Sequence, residues 1–440
     1  FQNDLKQELA DIKATSVAKT KRDRAIAFQD KISKLKFFDP ACGSGNFLTE
    51  SYTSLRRLEN EALRIIYGDN RVIGELADPI KVSINQFYGI EINDFACSVA
   101  QTALWIAEAQ MMQVTDEIVG FSLDPLPLKT YTNIHEGNAL RMDWNEVVPA
   151  AELDYIMGNP PFVGARFKST EQGDDLVAVF GSQWKNIGNL DYVTGWYKKS
   201  WEMMKIHSSI RAAFVSTNSI TQGEQVPALW KPLMESGIQI DFAWRTFIWD
   251  SEAMQKAHVH CVIVGFSLCH SERKRRIFDG KDVIDASNIN GYLIDGDNVF
   301  IEARSHPICA VPEIGIGNKP IDGGFYLFKD DEKEEFVKKE PGSERYFKRW
   351  YGADEFINRR PRWCLWLGDA NPVDLLKLPE CMKRIEAVRD YRLASPSPGT
   401  VKLADKPTRF HVENMPKGHY IVIPQVSSQR RPYIPMGYMD

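Results

Sequence analysis

The sequence predicts an α/β fold in which helices cover both faces of a mainly parallel sheet, followed by a smaller α+β domain. Between residues 37 and 235, short apolar runs that end in turn residues alternate with longer helical stretches, which is typical of right-handed crossovers. The apolar runs at 238–248 and 258–267 have no helix between them, which predicts one antiparallel hairpin. After residue 270, glycine, proline and asparagine become frequent and helical periodicity weakens. We therefore expect a helical lead-in at 1–36, an α/β domain at 37–270 and a smaller domain at 271–440.

The predicted elements follow one another in a regular order. The spacing of Leu5, Leu9 and Ile12 in a polar stretch indicates a solvent-facing helix near the start. Four strands come next, in the sequences LKFFDP, QFYGIEI, TNIHEGNA and LDYIMGNPPF, and helices begin at Phe47 and Phe95. The remaining elements are a helix at 191–204, a strand at 211–216, a helix at 226–234 and the two hairpin strands.

Composition limits the class of protein. The 440 residues are 43% hydrophobic and 26% charged, and contain no apolar run of ~18 residues that would span a bilayer. We expect a cytoplasmic, monomeric protein that does not contact membranes. The seven cysteines are an odd number without a Cys-x-x-Cys pair, so neither disulfides nor a bound metal is expected. The net charge of −5 divides into about −11 for residues 1–340 and about +6 for residues 341–440, which indicates a basic C-terminal module.

A glycine-containing loop follows the first strand, in Asp39-Pro-Ala-Cys-Gly-Ser-Gly-Asn-Phe-Leu48. Gly43 and Gly45 let backbone amides approach a ligand beyond the carboxyl edge of the sheet. A dinucleotide-binding loop would need a third glycine where Leu48 stands. Asp39, at the end of the strand, favours a ligand with a cationic amino group. The alternative is a tight strand-to-helix turn without a ligand.

The second strand ends in Gly-Ile-Glu91-Ile92-Asn, which places a carboxylate at the same edge. A carboxylate in this position accepts hydrogen bonds from both hydroxyls of a ribose. Acidic residues are common at strand ends, so Glu91 indicates a nucleoside site only together with Asp39.

The fourth strand ends in Gly158-Asn-Pro-Pro-Phe162. The prolines fix the backbone, so that Asn159 Oδ1 and the Pro160 carbonyl face one incoming amino group as acceptors. Such acceptors direct the lone pair of a ring-conjugated amine toward a methyl donor, and Phe162 offers a stacking surface. We expect the catalytic residues to be Asn159, Pro160, Pro161 and Phe162; a bare turn is the alternative.

DPACGSGNFL, YGIEIN, EGNAL and GNPPF, in this order, resemble motifs I to IV of the gamma-class DNA adenine-N6 methyltransferases. The resemblance covers about residues 37–267 and implies a Rossmann-like class I methyltransferase sheet that binds S-adenosyl-L-methionine. It implies that Asn138, where the family often has Asp, lies beside the cofactor's adenine and accepts a hydrogen bond from its amine. The cofactor-binding residues that it implies are Asp39, Pro40, Ala41, Gly43, Gly45, Phe47, Glu91, Ile92, Asn138 and Ala139.

The hairpin at 245–266 resembles motif VIII of the same enzymes, in which an aromatic residue packs on the extruded base. Phe247 is the first candidate for this role and Trp249 the second. An ordinary core aromatic is the alternative, since aromatic residues at strand ends commonly pack inside.

Beyond residue 270, the sequence resembles the recognition domain of bifunctional type IIG/IIL restriction enzymes, in the phrases GNKPIDGGFYLF, FINRRPRWCLWL and IPQVSSQRRPYIPMGYMD. Arginines interleaved with aromatic residues suit contact with the phosphates and base edges of double-stranded DNA, although a solvated surface is the alternative. The candidate DNA-binding residues are Arg359, Arg360, Arg362, Arg430 and Arg431, besides Phe247 and Trp249.

The chain begins at Phe1 and ends at Asp440 as though it were part of a longer protein. The family resemblance places an F-Y/T-T-P segment, which closes over the cofactor, upstream of Phe1. No P-D followed by D/E-x-K precedes Phe37. We therefore expect a nuclease domain elsewhere in the parent chain, a truncated recognition domain and no endonuclease activity in these residues.

The function predicted is site-specific transfer of a methyl group from S-adenosyl-L-methionine to N6 of a flipped adenine in a restriction-modification system. Methylation of RNA or of a protein amide is one alternative, because Asn-Pro-Pro-aromatic loops serve those targets too. A non-catalytic DNA-binding piece of a restriction complex is another. The basic, turn-rich C-terminal part favours the DNA enzyme.

Overall fold

The computed structural model describes residues 2–68, 79–119, 133–249, 259–268, 274–311, 314–415, 418–427 and 431–439. The chain divides into two compact units, residues 1–303 and 304–440. Within the described ranges, no helix has both the length and the apolar character needed to cross a bilayer.

The first unit is built on a nine-stranded sheet among the described residues. The strands are β1 (Phe37–Asp39), β2 (Phe87–Glu91), β3 (Ile134–Glu136), β4 (Tyr155–Gly158), β5 (Arg211–Thr217), β6 (Gln239–Trp249), β7 (Val259–Ser267), β8 (Arg275–Asp279) and β9 (Asp282–Ala286). Their order in space is β3-β2-β1-β4-β5-β7-β6-β8-β9. All neighbours pair in parallel except those that involve β7 or β9. The predicted parallel sheet and its hairpin are confirmed.

Helices cover both faces of this sheet. They are α1 (Gln2–Lys13), α2 (Ala18–Ile32), α3 (Asn46–Tyr67), α4 (Asp94–Val119), α5 (Trp144–Val147), α6 (Thr170–Phe180), α7 (Thr194–Ile206) and α8 (Lys231–Glu235). Successive strand residues point to opposite faces, so the buried Phe37 joins a core with α1 to α4, whereas Phe38 joins a second core with α5 to α8.

The region before β1 differs from its prediction. Instead of one solvent-facing helix, α1 and α2 form and pack on α3, with Leu5, Leu9 and Ile12 buried. These residues lie on one helical face, and the many charged residues around them indicated an exposed helix, whereas this apolar face packs inside.

The boundary between the units also differs from the predicted position near residue 270. β8 pairs in parallel with β6, with Phe242 opposite Arg276, and β9 completes a second hairpin. Since β8 and β9 are polar strands at one side of the sheet, they resembled a linker in the sequence.

The second unit combines small sheets and helices. A three-stranded antiparallel sheet has the order β10 (Leu327–Phe328), β12 (Arg362–Leu365), β11 (Phe347–Trp350), and β13 (Tyr420–Val422) pairs with β14 (Gly437–Met439). The helices are α9 (Asp330–Lys339), α10 (Ala353–Asn358), α11 (Pro372–Leu375), α12 (Pro379–Leu393) and α13 (Pro398–Lys402). Arg392 is fully buried and donates to five backbone carbonyls, which ties α12 to the surrounding loops. The predicted smaller α+β domain is confirmed.

Candidate active site at the carboxyl edge of the sheet

Asp39 ends β1 and is fully buried. Its Oδ1 accepts a hydrogen bond of 3.0 Å from Ala41 N, whereas Oδ2 has no partner among the described residues. The pKa of Asp39 is raised to about 7, mainly by burial; the hydrogen bond from Ala41 N opposes this shift and the nearby Glu91 carboxylate adds to it. A buried, unpaired carboxylate oxygen is costly unless a ligand supplies a cation, so Asp39 suits an ammonium group.

The loop after Asp39 depends on its two glycines. Gly43 and Gly45 have φ angles of +53° and +80°, a region that disfavours other residues. A Cβ on Gly45 would also lie 3.0 Å from Ala100 Cβ. Gly43 N donates to Glu91 Oε2 at 2.9 Å, which links the loop to the end of β2.

Helix α7 also contacts the loop that follows Asp39. Trp196 Nε1 donates to the Pro40 carbonyl at 3.0 Å, and Ala41 packs against the core beside it. Phe47, in the first turn of α3, is 37% exposed and is available to a ligand.

The carboxyl ends of β2 and β3 lie along the same edge of the sheet as Asp39. Glu91 Oε1 accepts from Asn93 N at 3.0 Å, so each oxygen of Glu91 holds one backbone amide and keeps a lone pair for a ribose hydroxyl. The next residue, Ile92, is 68% exposed. Gly137 N donates to the Glu91 carbonyl at 2.8 Å, which brings the loop after β3 to the same place.

Asn138 is half-buried in that loop, and Ala139 beside it is buried. Asn138 Oδ1 accepts from Leu140 N at 3.0 Å, and Nδ2 donates to Asp175 Oδ2 at 2.9 Å. Sequence reasoning missed Asp175, because this hydrogen bond joins residues 37 positions apart.

The Asn-Pro-Pro-Phe loop adjoins Asp39. Gly158 packs so closely on Asp39 that a Cβ there would lie 2.6 Å from Oδ1. Asn159 is exposed, and none of the hydrogen bonds found among the described residues uses its side chain. The structure therefore places the Asn159 amide directly after a residue that contacts the predicted ammonium site.

Pro160, Pro161 and Phe162 continue the loop directly after Asn159. Pro160 is buried, Pro161 is exposed and Phe162 is half-buried. The loop is thus anchored at Pro160 and exposed at Pro161.

Asp191, a second residue that sequence reasoning missed, holds the continuation of the loop. Its Oδ1 accepts from Ala165 N at 2.7 Å and from Gln225 at 3.0 Å, and its Oδ2 accepts from Thr217 at 2.9 Å and from Ser219. In the sequence this aspartate indicated only a helix start. In the structure it joins the loop to the end of β5.

Phe247 lies near the carboxyl end of β6, opposite Cys261 of β7, which also faces Thr217 of β5. β6 runs in the same direction as β4, so Phe247 and Asn159 share one edge of the sheet. Three strand spacings separate β4 from β6, about 14 Å, which leaves room for a nucleobase between their side chains. Phe247 is half-buried, and the Trp249 side chain lies outside the described residues. A stacking role for Phe247 stays a prediction.

The residues of this edge fit the cofactor that the sequence implies. The unpaired Asp39 Oδ2 would hold its ammonium group, and Glu91 its ribose hydroxyls. When bound, the cofactor would supply the methyl group. No cluster of three or more metal-binding side chains occurs in the described part of the chain.

The candidate arginines of the second unit occupy different surroundings. Arg359 and Arg431 line a cavity of about 810 Å³ together with Arg349 and the aromatic residues Tyr351, Phe356 and Tyr433.

The other candidate arginines lie elsewhere. Arg360 is exposed, whereas Arg362 forms an ion pair with Glu355 at 2.6 Å. Arg430 lies outside the described residues.

The strand order of the first unit, with β7 reversed between β5 and β6, and the motifs along its carboxyl edge define a class I methyltransferase. The model of the family described as "MmeI, DNA-methyltransferase domain" matches residues 15–279, and that of "MmeI, target recognition domain" matches residues 295–440. The chain therefore belongs to the MmeI family of DNA methyltransferases.

Two known proteins are similar over most of this chain. DNA methyltransferase A of Bacillus subtilis (strain 168) is 42% identical over 410 residues, which are 92% of this chain and 46% of that protein. The structure of the type IIL restriction-modification enzyme MmeI in complex with DNA matches with a TM-score of 0.91 and 41% identity, over 100% of this chain and 58% of that one. The chain thus spans about half the length of these relatives.

Proposed function

We propose that this chain transfers a methyl group from S-adenosyl-L-methionine to N6 of an adenine that has been rotated out of duplex DNA, as the modification part of a restriction-modification enzyme. The observation that carries the proposal is the close packing of Gly158 on Asp39. It joins a site suited to the cofactor's amino acid to a loop suited to an amine acceptor.

In this proposal, Asn159 Oδ1 and the Pro160 carbonyl accept hydrogen bonds from the adenine amine. These acceptors would direct the amine's lone pair toward the methyl group that the bound cofactor would supply. The N6–C bond would form as the S–C bond breaks with its electron pair remaining on sulfur, and N6 would lose one proton to solvent. Phe162 and Phe247 stack on the base. The half-buried Phe162 and the shared edge of β4 and β6 support these roles.

The second unit is proposed to bind the DNA duplex. Arg359, Arg431 and Arg349 around one cavity combine positive charge with aromatic surface, which suits phosphates and base edges. The structure of the related enzyme MmeI in complex with DNA supports this assignment.

The test is transfer of a labelled methyl group from S-adenosyl-L-methionine to a mixture of duplex DNA, RNA and protein, followed by sequencing of the modified sites. We expect label on adenine in duplex DNA within one recognition sequence. Label on RNA or protein would replace the proposed substrate. DNA binding without any label would favour the non-catalytic alternative.

A further inference from the structure

The amide of Asn138 is oriented from both ends. Nδ2 donates to Asp175 Oδ2 at 2.9 Å, and Oδ1 accepts from Leu140 N at 3.0 Å. The reverse orientation would set the amide nitrogen against the Leu140 N–H and the amide oxygen against the Asp175 carboxylate. Because both partners require the same orientation, the positions of the oxygen and the nitrogen of this amide are fixed.

Asp175 lies in α6 and is only 5% exposed. Besides Asn138, its carboxylate accepts from Arg141 Nε at 2.6 Å and from the Tyr192 hydroxyl at 2.8 Å. Burial raises the pKa of Asp175, but the three hydrogen bonds outweigh burial and the net shift is downward. Asp175 is therefore ionised at neutral pH and acts only as an acceptor.

The fixed orientation determines what Asn138 offers to a ligand. Its oxygen has two lone pairs, and Leu140 N uses one of them. Gly137, the preceding residue, is bonded to the end of β2 through the Glu91 carbonyl at 2.8 Å. The second lone pair of the Asn138 oxygen is therefore available in a loop that lies beside the predicted ribose site.

We propose that Asp175 is a positioning residue that holds the Asn138 oxygen as an acceptor for the exocyclic amine of the cofactor's nucleobase. The cofactor site then prefers adenine to a base with a carbonyl at the same position, because a carbonyl would face the Asn138 oxygen. This inference rests on the proposed function, since it takes the nucleoside of the cofactor to lie beside Glu91 and Asn138.

The test compares the affinities of the full chain for S-adenosylhomocysteine and S-inosylhomocysteine, measured by calorimetry. The unsubstituted chain should prefer the adenosyl compound by about tenfold or more. The adenine amine gains a hydrogen bond to the Asn138 oxygen, whereas the carbonyl of the inosyl compound would face that oxygen as a second acceptor. Asp175→Asn should reduce this preference, because a neutral amide pairs with Asn138 in either orientation and only the Leu140 N–H still favours the original one.

Two further variants separate orientation from packing. The exchange Asn138→Asp with Asp175→Asn should restore the preference, since a carboxylate at 138 only accepts and the new amide donates to it. Arg141→Ala removes an exposed partner of Asp175 and should keep the preference. Thermal unfolding of each variant shows that it is folded.

The outcomes distinguish this inference from the proposed function. Binding of neither compound by the unsubstituted chain would overturn both. Tight binding without preference, an unchanged preference in Asp175→Asn, or a lost preference that the exchange does not restore would each overturn the role of Asp175 alone.

Discussion

Among individual residues, Asp39 should control cofactor affinity through its protonation. Burial raises its pKa to about 7, so the free site holds a proton below that pH. An ammonium ligand needs the ionised form, and S-adenosylhomocysteine should therefore bind about tenfold more weakly for each pH unit below the pKa, with a plateau above it. Calorimetric titrations between about pH 5.5 and pH 8.5 measure this dependence.

Two controls belong to this titration. 5′-Methylthioadenosine lacks the amino-acid group, so its affinity should not follow the Asp39 titration. Asp39→Asn should bind S-adenosylhomocysteine weakly at every pH. A wild-type affinity that is flat from acid to alkaline pH would contradict the ammonium assignment.

The sequence predicted the residues at strand ends and missed the residues that hold them. Asp39, Glu91 and Asn159 follow apolar runs directly, so their common edge could be inferred from the chain alone. Asp175 and Asp191 act through partners such as Asn138 and Thr217, which are 37 and 26 positions away. No local pattern marks such hydrogen bonds, because they exist only once the helices have packed.

Among the helices, α3 carries a buried ion pair between Arg56 and Glu59, both with fully buried side chains. Glu59 Oε1 also accepts from Gln29 at 2.7 Å and from Lys81 N at 2.7 Å. Glu59→Ala would leave the Arg56 charge without this partner and should lower the free energy of unfolding by about 3–5 kcal/mol. Urea denaturation followed by circular dichroism measures the change.

Glu61 provides the matched control on the same helix. It pairs with Lys13 and Arg64, but its side chain is 37% exposed. Glu61→Ala should therefore change the free energy of unfolding by less than about 1 kcal/mol. Equal losses for the two variants would show that burial of the Arg56 pair does not set the stability of this region.

Helices and strands were predicted well where their periodicity was strong. The hairpin of β6 and β7 has long apolar strands and was expected. The helix α6, which carries Asp175, begins at a Ser169 capping box but lies in a mixed polar stretch, and it was not expected. β8 and β9 were not expected either, since Val283 and Ile284 stay exposed and their strands carry several charges.

For the molecule as a whole, DNA affinity should depend on salt through the arginines of the second unit. If Arg359 and Arg431 bind phosphates, the double variant Arg359→Ala with Arg431→Ala should reduce the slope of log affinity against log salt concentration. The expected reduction is about 0.9 for each phosphate that is no longer neutralised. Fluorescence anisotropy with a labelled duplex at several salt concentrations gives this slope.

The double variant Lys338→Ala with Lys339→Ala removes the same charge from the exposed side of α9. It should leave the slope nearly unchanged, because neither lysine lines the cavity with Arg359 and Arg431. The same reduction in both double variants would mean that only net charge matters and that the cavity does not bind DNA.

Single-turnover methylation of duplex DNA by Asn159→Ala probes the proposed reaction at its chemical step. Removing one aimed acceptor commonly lowers turnover ~100-fold or more, and here the affinities for cofactor and DNA should change little because the hydrogen bond matters most in the transition state. Asn159→Asp, which keeps an acceptor, should be less impaired. A rate for Asn159→Ala close to that of the unsubstituted chain would contradict the catalytic role of the Asn-Pro-Pro-Phe loop and, with it, the proposed reaction.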